Sequence, residues 1–155
     1  RCNRPPFSNN KLCKEHYDHI CEERKNRRER YEQAGMCGKC GKHAPITLNR
    51  LKWCEICYLK NLAGLHLGQP SRWQELKNLF ATQSICPYSG IQLILGQNVS
   101  VDHIVPRSSG GADEICNLQF VYLSGSFDVN GMKGTMNHSE FVAAIKQIND
   151  FISKG

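Results

Sequence analysis

Apolar and polar positions along this chain change rhythm three times, and each change predicts a different element. From Lys14 to about Gln33 the sequence is charge-dense, with no Gly or Pro until Gly35, which predicts a helix with little apolar face. Ser71 then reads as the cap of a helix from Arg72 to about Thr82, where Trp73, Leu76, Leu79 and Phe80 form one stripe for core packing. After the turn Cys86-Pro87-Tyr88-Ser89-Gly90 the period shortens. Ile91 to Leu95 and Val99 to Val105 read as extended, and Asn117 to Leu123 as the return strand, apolar at Leu118, Phe120, Val121 and Leu123. Asn137 caps a last amphipathic helix from about His138 to Ile152, with Phe141, Val142, Ile145 and Ile148 on one face. Leu62 to Pro70, with two glycines, reads as a linker. The expectation is an α+β chain: a small N-terminal module over 1–61, the linker over 62–70 and a compact domain over 71–155.

Composition sharpens this division. Residues 1–60 hold 14 Lys+Arg against 7 Asp+Glu, and residues 61–155 hold 6 against 7, so the whole excess of positive charge lies in the first part. A basic module joined to a near-neutral domain is the footprint of a chain whose first part grips a polyanion while the second works on it. Within the first helix, Arg24, Lys25, Arg27, Arg28 and Arg30 face a single anion, Glu29, in seven residues. Arg24, Arg27 and Arg28 share a face, so DNA phosphates are the expected partner; internal pairing with Glu22, Glu23, Glu29 and Glu32 is the alternative. No apolar run is long enough for a membrane span and no apolar signal core opens the sequence, so an intracellular, cytoplasmic protein is expected.

Nine cysteines, an odd number, with four in two Cys-x-x-Cys pairs, point to metal thiolates rather than disulfides. Cys37 and Cys40 are followed after thirteen residues by Cys54 and Cys57, a donor set for one structural zinc; four thiolates leave no open position for catalysis. A module this short buries little core, so the metal has to supply much of its folding energy. Cys13-x-x-His16 resembles half of another knuckle, and with Cys2 and either Cys21 or His19 it is a candidate second zinc site; unpaired surface side chains are the alternative.

The stretch Val101-Asp102-His103-Ile104-Val105-Pro106 sets two polar residues at the end of an apolar strand, which is costly unless something binds there. His103 is a candidate general base, an imidazole being the side chain type suited to that role near neutral pH, and Asp102 offers a hard oxygen for Mg²⁺ or Mn²⁺. Asn117 can orient the imidazole through its carbonyl, and Asn130 can complete the metal site. Arg107 and Lys133 are candidate phosphate clamps.

Asp102-His103-Ile104-Val105-Pro106, Gly110-Gly111, Asn117-Leu118 and Asn130-x-x-Lys133 resemble the HNH nucleases, of which phages and cyanobacteria provide similar members, over roughly Arg72 to Ile152. That resemblance implies a ββα-metal fold, two antiparallel strands and a helix around one divalent ion. It implies that Asp102 and Asn130 hold the metal, His103 activates water, Asn117 orients His103, and the product carries a 5′ phosphate. His138 is the rival for the place of Asn130. Gly131 and Gly134 weaken the expected helix, and Cys86 and Cys116, where some relatives carry paired cysteines, are expected as small buried side chains. The expected activity is a metal-dependent DNA endonuclease, with duplex scission requiring a homodimer or two visits. The alternatives are a non-cleaving DNA- or junction-binding protein and a nuclease for RNA or branched DNA.

Overall fold

The computed structural model describes residues 4–6, 11–47, 52–125 and 127–153. Helix α1 spans Lys14–Gln33 and buries none of its residues, as expected of a segment charged on every side. Its end is pinned to the cysteine knuckle at Gly41, where a Cβ would lie 2.5 Å from Cζ of Tyr31.

Residues 62–66 of the expected linker are instead the end of a helix. Helix α2 spans Glu55–His66 and buries Cys57, Leu59, Leu62 and Ala63. Leu59, Leu62, Ala63 and the following Leu67 lie in the same core as Val101, Leu118, Phe120 and Phe141. Their i, i+3, i+4 spacing is helical, and Gly64 sits against Pro70, where a Cβ would lie 3.3 Å from the proline ring. A single-turn 3₁₀ segment, Pro70–Arg72, then leads to α3, Trp73–Thr82, which buries Leu76 and sets Phe80 edge-on to Phe120 at 5.2 Å. Lys77 of α3 meets Glu55 of α2 at 2.7 Å.

Strands β1, Val99–His103, and β2, Leu118–Ser124, pair antiparallel with Asp102 opposite Gln119 and His103 opposite Leu118. A two-residue β3, Phe127–Asp128, extends the sheet in the order β1-β2-β3. Helix α4 is only five residues, Val129–Lys133, with Gly131 inside it and Gly134 at φ 57° as its C-cap. It packs against both β1 and β2. Helix α5, His138–Ile152, starts at a capping box in which Asn137 and Glu140 satisfy each other's backbone N–H groups. The architecture is α+β with a small three-stranded antiparallel sheet. Among the described residues no helix is long and apolar enough to cross a membrane.

Candidate functional site

Two sites emerge, one of sulfur and one of oxygen and nitrogen. The four thiol sulfurs of Cys37, Cys40, Cys54 and Cys57 lie within 4.8 Å of one another, three of the residues buried. A zinc–sulfur bond of about 2.3 Å in a tetrahedron puts sulfurs about 3.8 Å apart, and those of Cys40 and Cys54 are 3.7 Å apart. Burial by itself raises the Cys37 thiol, but the backbone N–H groups of Cys54, Cys40 and Lys39 override it and bring it down to about 6. Burial and the neighbouring sulfurs push Cys57 up. A soft dication would turn all four into thiolates, so these residues fit one structural zinc.

The first Cys/His cluster does not assemble in this way. Cys13 Sγ and His16 Nδ1 are 3.2 Å apart, but Cys21, exposed two turns along α1, does not join them as a third donor. Cys2 lies outside the described residues.

The second site is the end of β1. Asp102, His103, Asn130, Pro106, Arg107 and Lys133 border a cavity of about 220 Å³. Asp102 is 2% exposed; its Oδ1 accepts from Lys133 Nζ at 3.1 Å and its Oδ2 from Gln119 Nε2 at 2.8 Å. Each carboxylate oxygen has a second lone-pair direction, so neither bond uses up its capacity to bind a cation. Asn130 donates Nδ2 to the Val101 carbonyl at 3.2 Å, and its amide oxygen has no hydrogen-bond donor among the described residues. One carboxylate and one amide oxygen on a common cavity fit a hard divalent ion in type.

Three expectations change here. Lys133 is not a phosphate clamp: it is fully buried, and its ammonium donates to Asp102 and, at 2.7 Å, to the His103 carbonyl. Asn117 does not orient the imidazole directly. Its Oδ1 accepts from Val105 N–H at 2.9 Å and its Nδ2 donates to the Val105 and Ala112 carbonyls, both at 3.0 Å, so it staples the loop that leaves β1. Only glycine fits at 111, where a Cβ would overlap the Val105 carbonyl. The group that meets the imidazole is Asp113, whose Oδ1 lies 2.9 Å from His103 Nε2. Asp113 also accepts from Arg107 Nε at 2.7 Å, and Arg107 beside it holds its carboxyl below the usual range. Cys86 is buried as expected, but Cys116 is exposed.

Arg107 borders the cavity half-exposed, with Nη2 donating to the Leu65 carbonyl at 2.8 Å. His138 faces elsewhere: its Nδ1 is 3.0 Å from the Tyr88 hydroxyl, which accepts from Gln119, so it reaches Asp102 only through two intermediaries. The basic residues of α1 lie outward, with Arg24, Lys25, Arg27 and Arg30 exposed and Arg28 half-buried.

Sequence reasoning missed Asp113, a polar residue in a polar loop, and His66, hidden in the supposed linker. The rings of His66 and His103 are 5.7 Å apart, and His66 Nδ1 is buried without a partner among the described residues. Burial, then the proximity of His103 and Arg107, push His66 down to about 4. An unfolded histidine titrates near pH 6.5, so between about 6.5 and 4 the unfolded chain binds the extra proton. This contribution to stability is therefore complete above about pH 6.5 and shrinks as pH falls toward 4, by on the order of 1 kcal/mol once its partial solvent access is discounted. His66→Gln is expected to flatten the difference in urea midpoint between pH 7 and pH 5; parallel pH slopes for variant and wild type would rule this out.

The chain matches no family model, no curated protein and no solved structure.

Proposed function

We propose that this chain is a metal-dependent endonuclease of the HNH type that hydrolyses phosphodiester bonds in DNA. The observation that carries the reading is the convergence of Asp102, His103, Asn130 and Arg107 on one cavity at the end of β1. Asp102 and Asn130 would hold a Mg²⁺ or Mn²⁺ ion, which when bound supplies charge stabilisation to the phosphate and the leaving oxygen. Were His103 to donate Nε2–H to Asp113, 2.9 Å away, its Nδ1 would be the nitrogen that takes a proton from the attacking water. Asp113 would thereby fix the tautomer and the ring orientation. Arg107, half-exposed and with Nη1 still available, would meet a phosphate oxygen. The exposed cations of α1 would supply salt-dependent affinity for the same polyanion, and the cysteine knuckle would hold α1 and α2 in place.

The test is conversion of supercoiled plasmid to nicked circles with Mg²⁺. The wild-type chain is expected to nick, and His103→Ala to nick about 10²–10⁴-fold more slowly. A second reading, a DNA- or junction-binding protein that does not cut, draws on one observation: the Lys133 ammonium already balances the charge of Asp102. Equal failure to nick by both proteins, with binding retained, would favour that reading.

A further inference from the structure

The cations of α1 do more than coat a helix. Between α1 and the cysteine knuckle runs an open cleft of about 450 Å³, bordered by Arg24, Lys25, Arg27, Arg28, Lys39 and Trp53 and by no carboxylate. Two of these cations have acidic neighbours, both near the limit of ion-pair distance: Lys25 lies 3.9 Å from Glu22 and Arg28 lies 3.5 Å from Glu32. Among the described residues Arg24, Arg27 and Lys39 form no ion pair. So many like charges facing one concave surface repel one another, and a solvated helix face has no need to turn them toward an aromatic ring.

The ring is the second half of the observation. Lys39 Nζ sits 4.5 Å from the centroid of Trp53, a cation resting on the indole face. Trp53 is half-buried and anchored from behind, packing against the thiolate cluster and pairing its backbone with Ile46 and Thr47. A rigid, partly open indole in a carboxylate-free basic cleft is the combination that holds unpaired nucleotides: cations follow the phosphates and the ring stacks on a base. The long stem of Lys39 lets its ammonium leave the ring for a phosphate as a base arrives. A duplex offers the phosphates but keeps its base faces covered, so it can satisfy only half of the cleft.

We propose that this cleft binds an unpaired nucleic-acid strand, with Arg24, Arg27 and Lys39 on its phosphates and Trp53 against a base. The proposal rests on the endonuclease reading for its purpose and deepens it, since a substrate would then carry single-stranded nucleotides beside the cut.

Binding is measurable without cutting. The full His103→Ala chain, zinc-loaded and in Mg²⁺-free buffer at fixed salt, would be titrated into labelled oligodeoxythymidine, oligouridine and a duplex of equal phosphate count. One single strand is expected to bind at least about tenfold more tightly than the duplex, the energy of one stacked base; the tighter of the two names the source. Trp53→Ala is expected to erase that preference while leaving duplex binding unchanged, and Arg24→Ala with Arg27→Ala to weaken both and reduce the salt slope. Because Trp53 packs on the thiolates, a second measurement uses no substitution in the cleft. Cys21 is exposed on its border and Cys116 is exposed away from it, so the single strand should slow alkylation of Cys21 and not of Cys116. Equal affinity for strand and duplex, or unprotected Cys21 at saturating strand, would overturn the proposal even if plasmid nicking is robust. Protection of Cys21 with no nicking would leave the cleft standing and remove the nuclease.

Discussion

Cys57→Ser is expected to strip the metal and unfold more than the knuckle. Structural zinc of this type contributes on the order of 10 kcal/mol to the fold that binds it, comparable to the whole stability of a small domain. Cys57 sits in the first turn of α2, and the same helix carries Leu59, Leu62 and Ala63 into the core beneath β1 and β2. In a chain whose knuckle was tethered by a loop, the damage would stop at the linker. Here loss of the tetrahedron frees the N-terminal end of a core helix, so melting of the sheet domain should fall with zinc content. The measurement is zinc per chain by atomic emission beside a circular dichroism melt, for wild type, Cys57→Ser and chelator-treated protein. A variant holding about one zinc per chain, with an unchanged melt, would contradict it.

Lys133→Met is the second large effect, and it separates a buried strut from a phosphate contact. The ammonium is fully enclosed, and among the described residues it is the one cation paired with a carboxylate that is itself 2% exposed. Removing it leaves Asp102 charged, buried and bonded to Gln119 alone, which costs roughly 3–5 kcal/mol in comparable settings. The double variant Lys133→Met with Asp102→Leu should recover part of that loss, because the uncompensated charge is gone. Urea unfolding at pH 7 measures both. A surface clamp would behave oppositely: Lys133→Met would change stability by less than about 0.5 kcal/mol and weaken nucleic-acid binding instead.

Much of the fold was legible because it rests on local signals. Helix α1 runs over the residues that its charge pattern and Gly35 predict, and α5 begins at Asn137 because Asn and Glu three residues apart form a capping box. The pairing of β1 with β2 follows from two apolar, strand-favouring runs joined by a loop containing Gly110 and Gly111. Helix α2 was hidden because Gly64 and Gly68 resemble a linker, whereas Gly64 sits against Pro70. The clustering of the four cysteines, a donor set that fits one zinc, was legible from spacing alone, since two Cys-x-x-Cys pairs have few other uses. The oxygen site was legible by residue type and less so by role. Asp102, His103 and Asn130 do share a cavity, but which donor meets which acceptor depends on where the fourteen-residue loop between β1 and β2 folds back. That return brings Asp113 to His103 and leaves Asn117 closing the loop, while Lys133 reaches Asp102 from α4.

The continuity of α2 has a geometric consequence. With Cys57 near one end and His66 at the other, about 14 Å of unbroken helix separates the sulfur tetrahedron from the imidazole pair. Such a spacer works as a ruler and as a phase setter. Lengthening it by one residue would advance the knuckle by about 1.5 Å and swing it through about 100° relative to the imidazole pair.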